Sequence, residues 1–265
     1  MVDSALKIKR RRGFESGVRA RYDYAVWGNA LLMESDIMSN TTYIAFASSE
    51  HLHTTTDEFI KRMAQEAPRP EPQTIETIMV SFLDEALDAF FVQPQEFLGL
   101  SSGMRRVVNM TVDTISKATR MVVTRTAKKM DLAQNHASAE YMDTMRLCHT
   151  DAAGHETWYI AFPIEESLRE QGEAAVASAR NGYTQMARDQ ITEFLPALTD
   201  VGLYWYFEEP MKMMKFGPVI QRAVNMGVET TRKATKSTIS KVFPKLDDDQ
   251  LKAAADYMEG LMLKT

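Results

Sequence analysis

One stretch of this chain occurs twice, 116 residues apart. Tyr43-Ile44-Ala45-Phe46 returns as Tyr159-Ile160-Ala161-Phe162, Val108-Asn109-Met110 as Val224-Asn225-Met226, and Lys117-Ala118-Thr119 as Lys233-Ala234-Thr235. Aligned without a gap, 43–149 and 159–265 agree at 28 of 107 positions. Solenoid units have periods of roughly 20–50 residues, so a period this long predicts several helices per copy. Two such copies are expected to pack about a pseudo-twofold axis, as the halves of a homodimer do. The divisions expected are a basic tail and first helix over 1–36, one repeat unit over 37–152 and a second over 153–265, with one shared core as an open alternative.

Apolar spacing predicts helices. Ile75, Ile78, Met79, Phe82, Leu83, Ala86, Leu87 and Phe90 fall at i, i+3, i+4 intervals. That helix is expected to end before Pro94, and its copy over 183–207 to be kinked by Pro196 and stopped by Pro210, because proline removes a ladder donor and crowds the preceding turn. A longer helix should start after Ser101-Ser102, as N-cap residues, and run to about 130. Its copy should start at Gly217-Pro218 and run to about 242. Shorter helices are expected over 57–65 and 165–180, and a last one three times in phase, over 22–34, 138–149 and 249–263. The expected fold class is all-α, two tandem bundle-like units, with 43–46 and 158–162 as short extended pieces.

Charge follows the same period. Residues 70–104 carry six acidic and no basic residues, and 105–130 carry seven basic residues and Asp113. Then 189–211 hold five acidic residues, and 212–245 hold eight basic residues and Glu229. At 100° per residue, Arg106, Met110, Thr114 and Lys117 share one side of the first basic helix, opposite Val108, Val112 and Thr119. The second copy keeps this stripe as Arg222, Met226, Thr230 and Lys233. Burial accounts for the valines but not for the cations, so Arg106, Lys117, Arg222 and Lys233 are the candidate partner-binding residues.

Other motifs carry less. Gly99-Leu100-Ser101-Ser102-Gly103 matches a nucleophile elbow, but that motif needs a strand-to-helix turn above a sheet, and the copy has no serine. Glu50, His51 and His53, with His149 and His155, are the candidate metal ligands. Glu50-x-x-His53 has di-iron spacing, yet the copy offers Glu166 and Arg169, so no cofactor is expected. Met211, Met213 and Met214 after Tyr204-Trp205-Tyr206-Phe207 form either core or an adaptable pocket. Copy one has Asp88-Ala89-Phe90-Phe91 there, so any pocket in the second half is expected to be unmatched in the first. The single Cys148 rules out an intramolecular disulfide and, with no apolar run of membrane-spanning length, points to a cytoplasmic setting.

The function these observations favour is a non-enzymatic interaction, scaffold or regulatory role, with a protein partner or self-association through the stripe. A metal-dependent bundle enzyme using the histidine segments is the first alternative. Binding to an anionic surface, nucleic acid or lipid, is the second, and the basic run Lys7–Arg12 is its main support.

Overall fold

The computed structural model describes residues 41–65, 68–150 and 153–264; the expected helix over 22–34, the Lys7–Arg12 run and the whole division 1–36 lie outside them. The chain is mostly helical and carries a small four-stranded sheet. It begins with β1 (Thr42–Ala47), α1 (Glu50–Met63) and α2 (Pro72–Leu87). A π-helical turn over Asp88–Val92 leads into α3 (Gln93–Phe97), followed by α4 (Ser102–Ala127), α5 (Leu132–Thr144) and β2 (Arg146–Thr150). The same order then recurs as β3 (Glu156–Ile164), α6 (Glu166–Arg180), α7 (Thr184–Leu203), a π turn over Tyr204–Glu208, α8 (Glu209–Met214), α9 (Pro218–Val242), α10 (Asp248–Gly260) and β4 (Met262–Lys264). Both π turns, both long helices, both last helices and both closing strands start 116 residues apart.

The helical frame agrees with the all-α expectation, and the small sheet is an addition to it. Its order is β2-β3-β1-β4, every pairing antiparallel. At its centre Ala45 faces Ala161, so that Ile44 meets Phe162 and Phe46 meets Ile160. The two extended pieces foreseen are β1 and part of β3. The closing strands were hidden because each follows its helix after a single residue: Leu147 and Leu263, in phase with the helical stripe, instead pair with Tyr159 and Tyr43. The last helices therefore stop at Thr144 and Gly260, short of the predicted ends.

Local caps explain the other boundaries. Ser49 Oγ accepts from the Leu52 amide at 3.1 Å and starts α1 earlier than predicted, with Leu52, Thr56, Phe59 and Met63 buried at helical spacing. Ser101 caps α4 by accepting from Met104 N, the role left to it once the elbow is set aside. Asp131 and Asp247 close capping boxes with Gln134 and Gln250. Pro94 and Pro210 do not end the helical run. A π turn widens the ladder before each, so the missing donor falls in the first turn of α3 or α8, where it is not needed. The turn after α3 has Gly99 at φ +56°, and the matching place after α8 has Lys215 at φ +48°.

The two halves hold each other by reciprocal bonds. Gln134 Nε2 donates to Met214 O and Gln250 Nε2 to Leu98 O, both at 2.7 Å. Tyr141 donates to Trp205 O, and Tyr257 donates to Ala89 O. Helices α4 and α9 cross antiparallel, with Thr111 Oγ1 2.5 Å from Thr238 Oγ1 and a Cβ on Gly227 falling 3.2 Å from Val122. Val108, Val224 and Val228 are buried there, and Val112 is half-buried. One core cluster draws Ile44, Leu98 and Val108 together with Phe162, Ile191 and Phe194. No helix among the described residues is long and apolar enough to cross a membrane.

Candidate functional site

Helices α4 and α9 form the centre of a layer flanked by α2 and α7. Their inner sides supply Val108, Ile115, Val224 and Val228 to the core, so the opposite sides face outward as one surface. Arg106, Lys117, Arg222 and Lys233 all lie on that surface and are exposed. Met110 and Met226, at equivalent places, are 61% and 64% exposed. Thr114 and Thr230 turn their hydroxyls back onto the carbonyls of Met110 and Met226 at 2.7 and 2.8 Å, while the cations and thioethers project beside exposed Asp113 and Glu229.

Charge pairing with the acidic helices does occur, but through other residues. Arg120 binds Asp84, and at the matching positions Lys236 Nζ lies 2.8 Å from Asp200. Arg232 adds a 2.8 Å bond to Asp200 and a 3.2 Å contact to Glu208. Burial pushes the Asp200 carboxyl up, yet Lys236 and Arg232 outweigh it and hold the carboxyl below its usual range. Among the described residues none of Arg106, Lys117, Arg222 and Lys233 has an ion pair. Helices α4 and α9 together carry ten basic and two acidic residues, a net +8 on a chain of net −5.

The histidine segments meet a different fate. Glu50 and His51 open α1 and are exposed, His155 is exposed before β3, and His149 lies in β2 opposite Thr157. His53 stacks on Trp158 with centroids 4.5 Å apart, and its Nδ1 lies 2.9 Å from Nη2 of Arg146. A guanidinium has no lone pair, so it donates to Nδ1 and occupies the electrons a metal would need. Arg146, its side chain 4% exposed, sits 4.7 Å over the Trp158 ring and 3.4 Å from Asp57. No group of three His, Cys, Asp or Glu side chains among the described residues is placed to hold a metal ion. The sequence reading passed over Arg146; its signal was asymmetry, since Met262 stands at the matching position.

The Tyr204–Met214 segment corrects a further expectation, that any pocket in the second half is unmatched in the first. Tyr204 donates to Glu209 at 2.6 Å, a bond that pushes its phenol up to about 12, and Lys212 caps its ring at 4.5 Å. Tyr206 and Phe207 turn inward to line two apolar cavities of about 250 and 110 Å³. Their walls use matching positions: Leu98 and Met214, Leu198 and Phe82, Tyr257 and Tyr141. No protein-family model, curated protein or solved structure matches the chain.

Proposed function

We propose that this chain is a tandem duplication of one strand–helix–strand unit, divided near 152, and that it acts without catalysis as a cytoplasmic binding module. The reciprocal bonds of Gln134 with Met214 and of Gln250 with Leu98 support the duplication, because a pseudo-twofold axis relates them. The binding surface is the outer face of α4 and α9, and the partner is an acidic protein with apolar anchors. The observation that carries this reading is that four exposed cations without ion pairs recur at equivalent places beside two exposed methionines. Cations held by Asp84 and Asp200 serve the fold; unpaired ones are available to carboxylates of a partner, and Met and Arg are enriched at interfaces.

The test is a fourfold variant, Arg106→Glu, Lys117→Glu, Arg222→Glu and Lys233→Glu. With none of the four in an ion pair, the helical circular dichroism and melting temperature should stay close to those of the native chain. Capture of acidic proteins from a native lysate, released by salt and by polyglutamate, should be lost. Undiminished capture by the variant overturns the reading. Binding of duplex DNA or phosphatidylserine vesicles in preference to acidic protein would reassign the same face to an anionic polymer or membrane.

A further inference from the structure

The larger cavity lies between the halves. The first π turn contributes Phe90 and Phe91, Leu98 follows just past the end of α3, and α7 contributes Phe194 and Leu198. No charged residue is in the wall among the described residues. Phe97, which belongs to the wall, is 46% exposed and stacks on Tyr257 at 4.9 Å, so the cavity reaches the surface between these rings. One polar group in the wall is unsatisfied. The Tyr206 hydroxyl is out of contact with solvent and has no hydrogen-bond partner, while its ring packs edge-on against Phe82 at 4.8 Å and Phe162 at 5.2 Å. A buried hydroxyl left unpaired loses its water hydrogen bonds without recompense, so a ligand acceptor in the cavity would restore one. Burial pushes this phenol up, with Tyr141 adding to the effect, and it remains a donor.

We infer that the larger cavity is a binding site for a neutral, mainly apolar molecule with one oxygen acceptor, an alcohol or ketone, held by a hydrogen bond from Tyr206. Size sets the class: an apolar cavity of about 150 Å³ takes up benzene, so about 250 Å³ holds roughly ten non-hydrogen atoms. The wall sets the charge. A carboxylate or ammonium group would lie there without a counter-ion, which is far more costly than burying a hydroxyl. The ligand oxygen accepts from Tyr206, and the chain runs along Phe194 and Leu198 toward Phe97.

Phe82 and Leu83 border both cavities and hold in the smaller one the places that Leu198 and Thr199 hold in the larger, so the test substitutions are made at Leu198 and Thr199, which line the larger cavity alone. Titration of the full chain with 1-octanol, followed by calorimetry and by side-chain NMR shifts, should show saturable binding. Octanoate at pH 8 should bind at least tenfold more weakly. Leu198→Phe should abolish binding, and Thr199→Leu gives the same test should Leu198→Phe fail to fold. Tyr206→Phe keeps the ring and should weaken 1-octanol several-fold, the loss of about one hydrogen bond. The inference is overturned by an absence of saturable binding to the native chain, or by octanoate binding as well as 1-octanol. A folded cavity-filling variant, or Tyr206→Phe, that binds as the native chain does would overturn it equally.

Discussion

Leu198 in the second half and Phe82 in the first occupy matching places; Leu198 lines only the larger cavity, of about 250 Å³, whereas Phe82 borders both it and the smaller one of about 110 Å³. Thr199 against Leu83 differs in the same sense, whereas Leu98 against Met214 exchanges side chains of nearly equal volume. The backbone around both is alike, with a π turn, a proline-initiated short helix and a tyrosine bonded across to the other half. Side-chain volume, on two alike stretches of backbone, sets how large each cavity is. The outer face of α4 and α9 is the opposite case. There the halves keep the same residue types, Arg106 with Arg222, Met110 with Met226 and Lys117 with Lys233, where packing imposes no such choice.

Phe82 is the position where substitution should change the two cavities most. Phe82→Leu removes the ring that meets Phe46 and Tyr206 and enlarges both cavities it borders, bringing the smaller one toward the form that Leu198 gives the larger. It should cost about 1–2 kcal/mol in chemical denaturation, as partly buried large-to-small changes do, and add a second 1-octanol site. An unchanged stability and stoichiometry would mean that volume at this position is not what separates the cavities.

The turns after α3 and α8 differ by glycine. Gly99 at φ +56° has open space where a Cβ would be, so Gly99→Ala tests backbone strain alone. A loss of about 1 kcal/mol is expected on denaturant titration. Lys215 already bears that strain at the matching place.

The acidic partners of the long helices give the smallest effect. Asp200 meets two cations, Lys236 and Arg232, whereas Asp84 meets Arg120. Asp200→Asn should cost up to about 1 kcal/mol and Asp84→Asn less, both half-exposed. Because the folded Asp200 carboxyl titrates below its usual range, its contribution is complete above the ordinary aspartate pKa and is lost as pH falls through the lowered folded value. Melting curves between pH 7 and pH 3 should therefore converge for native and Asp200→Asn chains at the acid end.

Much of the helical frame was legible because apolar spacing, caps and the repeat agree. Ser101, Gly217-Pro218 and the Val108, Val224 and Val228 positions are where period and burial coincide. Three features were not legible. β2 and β4 are too short to show alternation and continue the phase of the preceding helix. A π turn obeys no 3.6-residue rule, so Pro94 and Pro210 read as stops. The destination of His53 depended on Arg146, 93 residues away and brought under α1 only by strand pairing. The stripe cations were visible from periodicity, but their lack of ion pairs was not, since Arg120 and Lys236 have the same sequence character and do find Asp84 and Asp200.

Hydroxyl-radical footprinting of the complex with the captured acidic partner tests the binding face most directly, because Met110 and Met226 are exposed reporters at its two equivalent centres. Sulfoxide formation at both should fall several-fold in the complex, while Met186 on α7, 53% exposed, keeps its free rate. Oxidation of Met110 and Met226 at the free rate in a saturated complex would contradict the account and move the interface elsewhere on the chain.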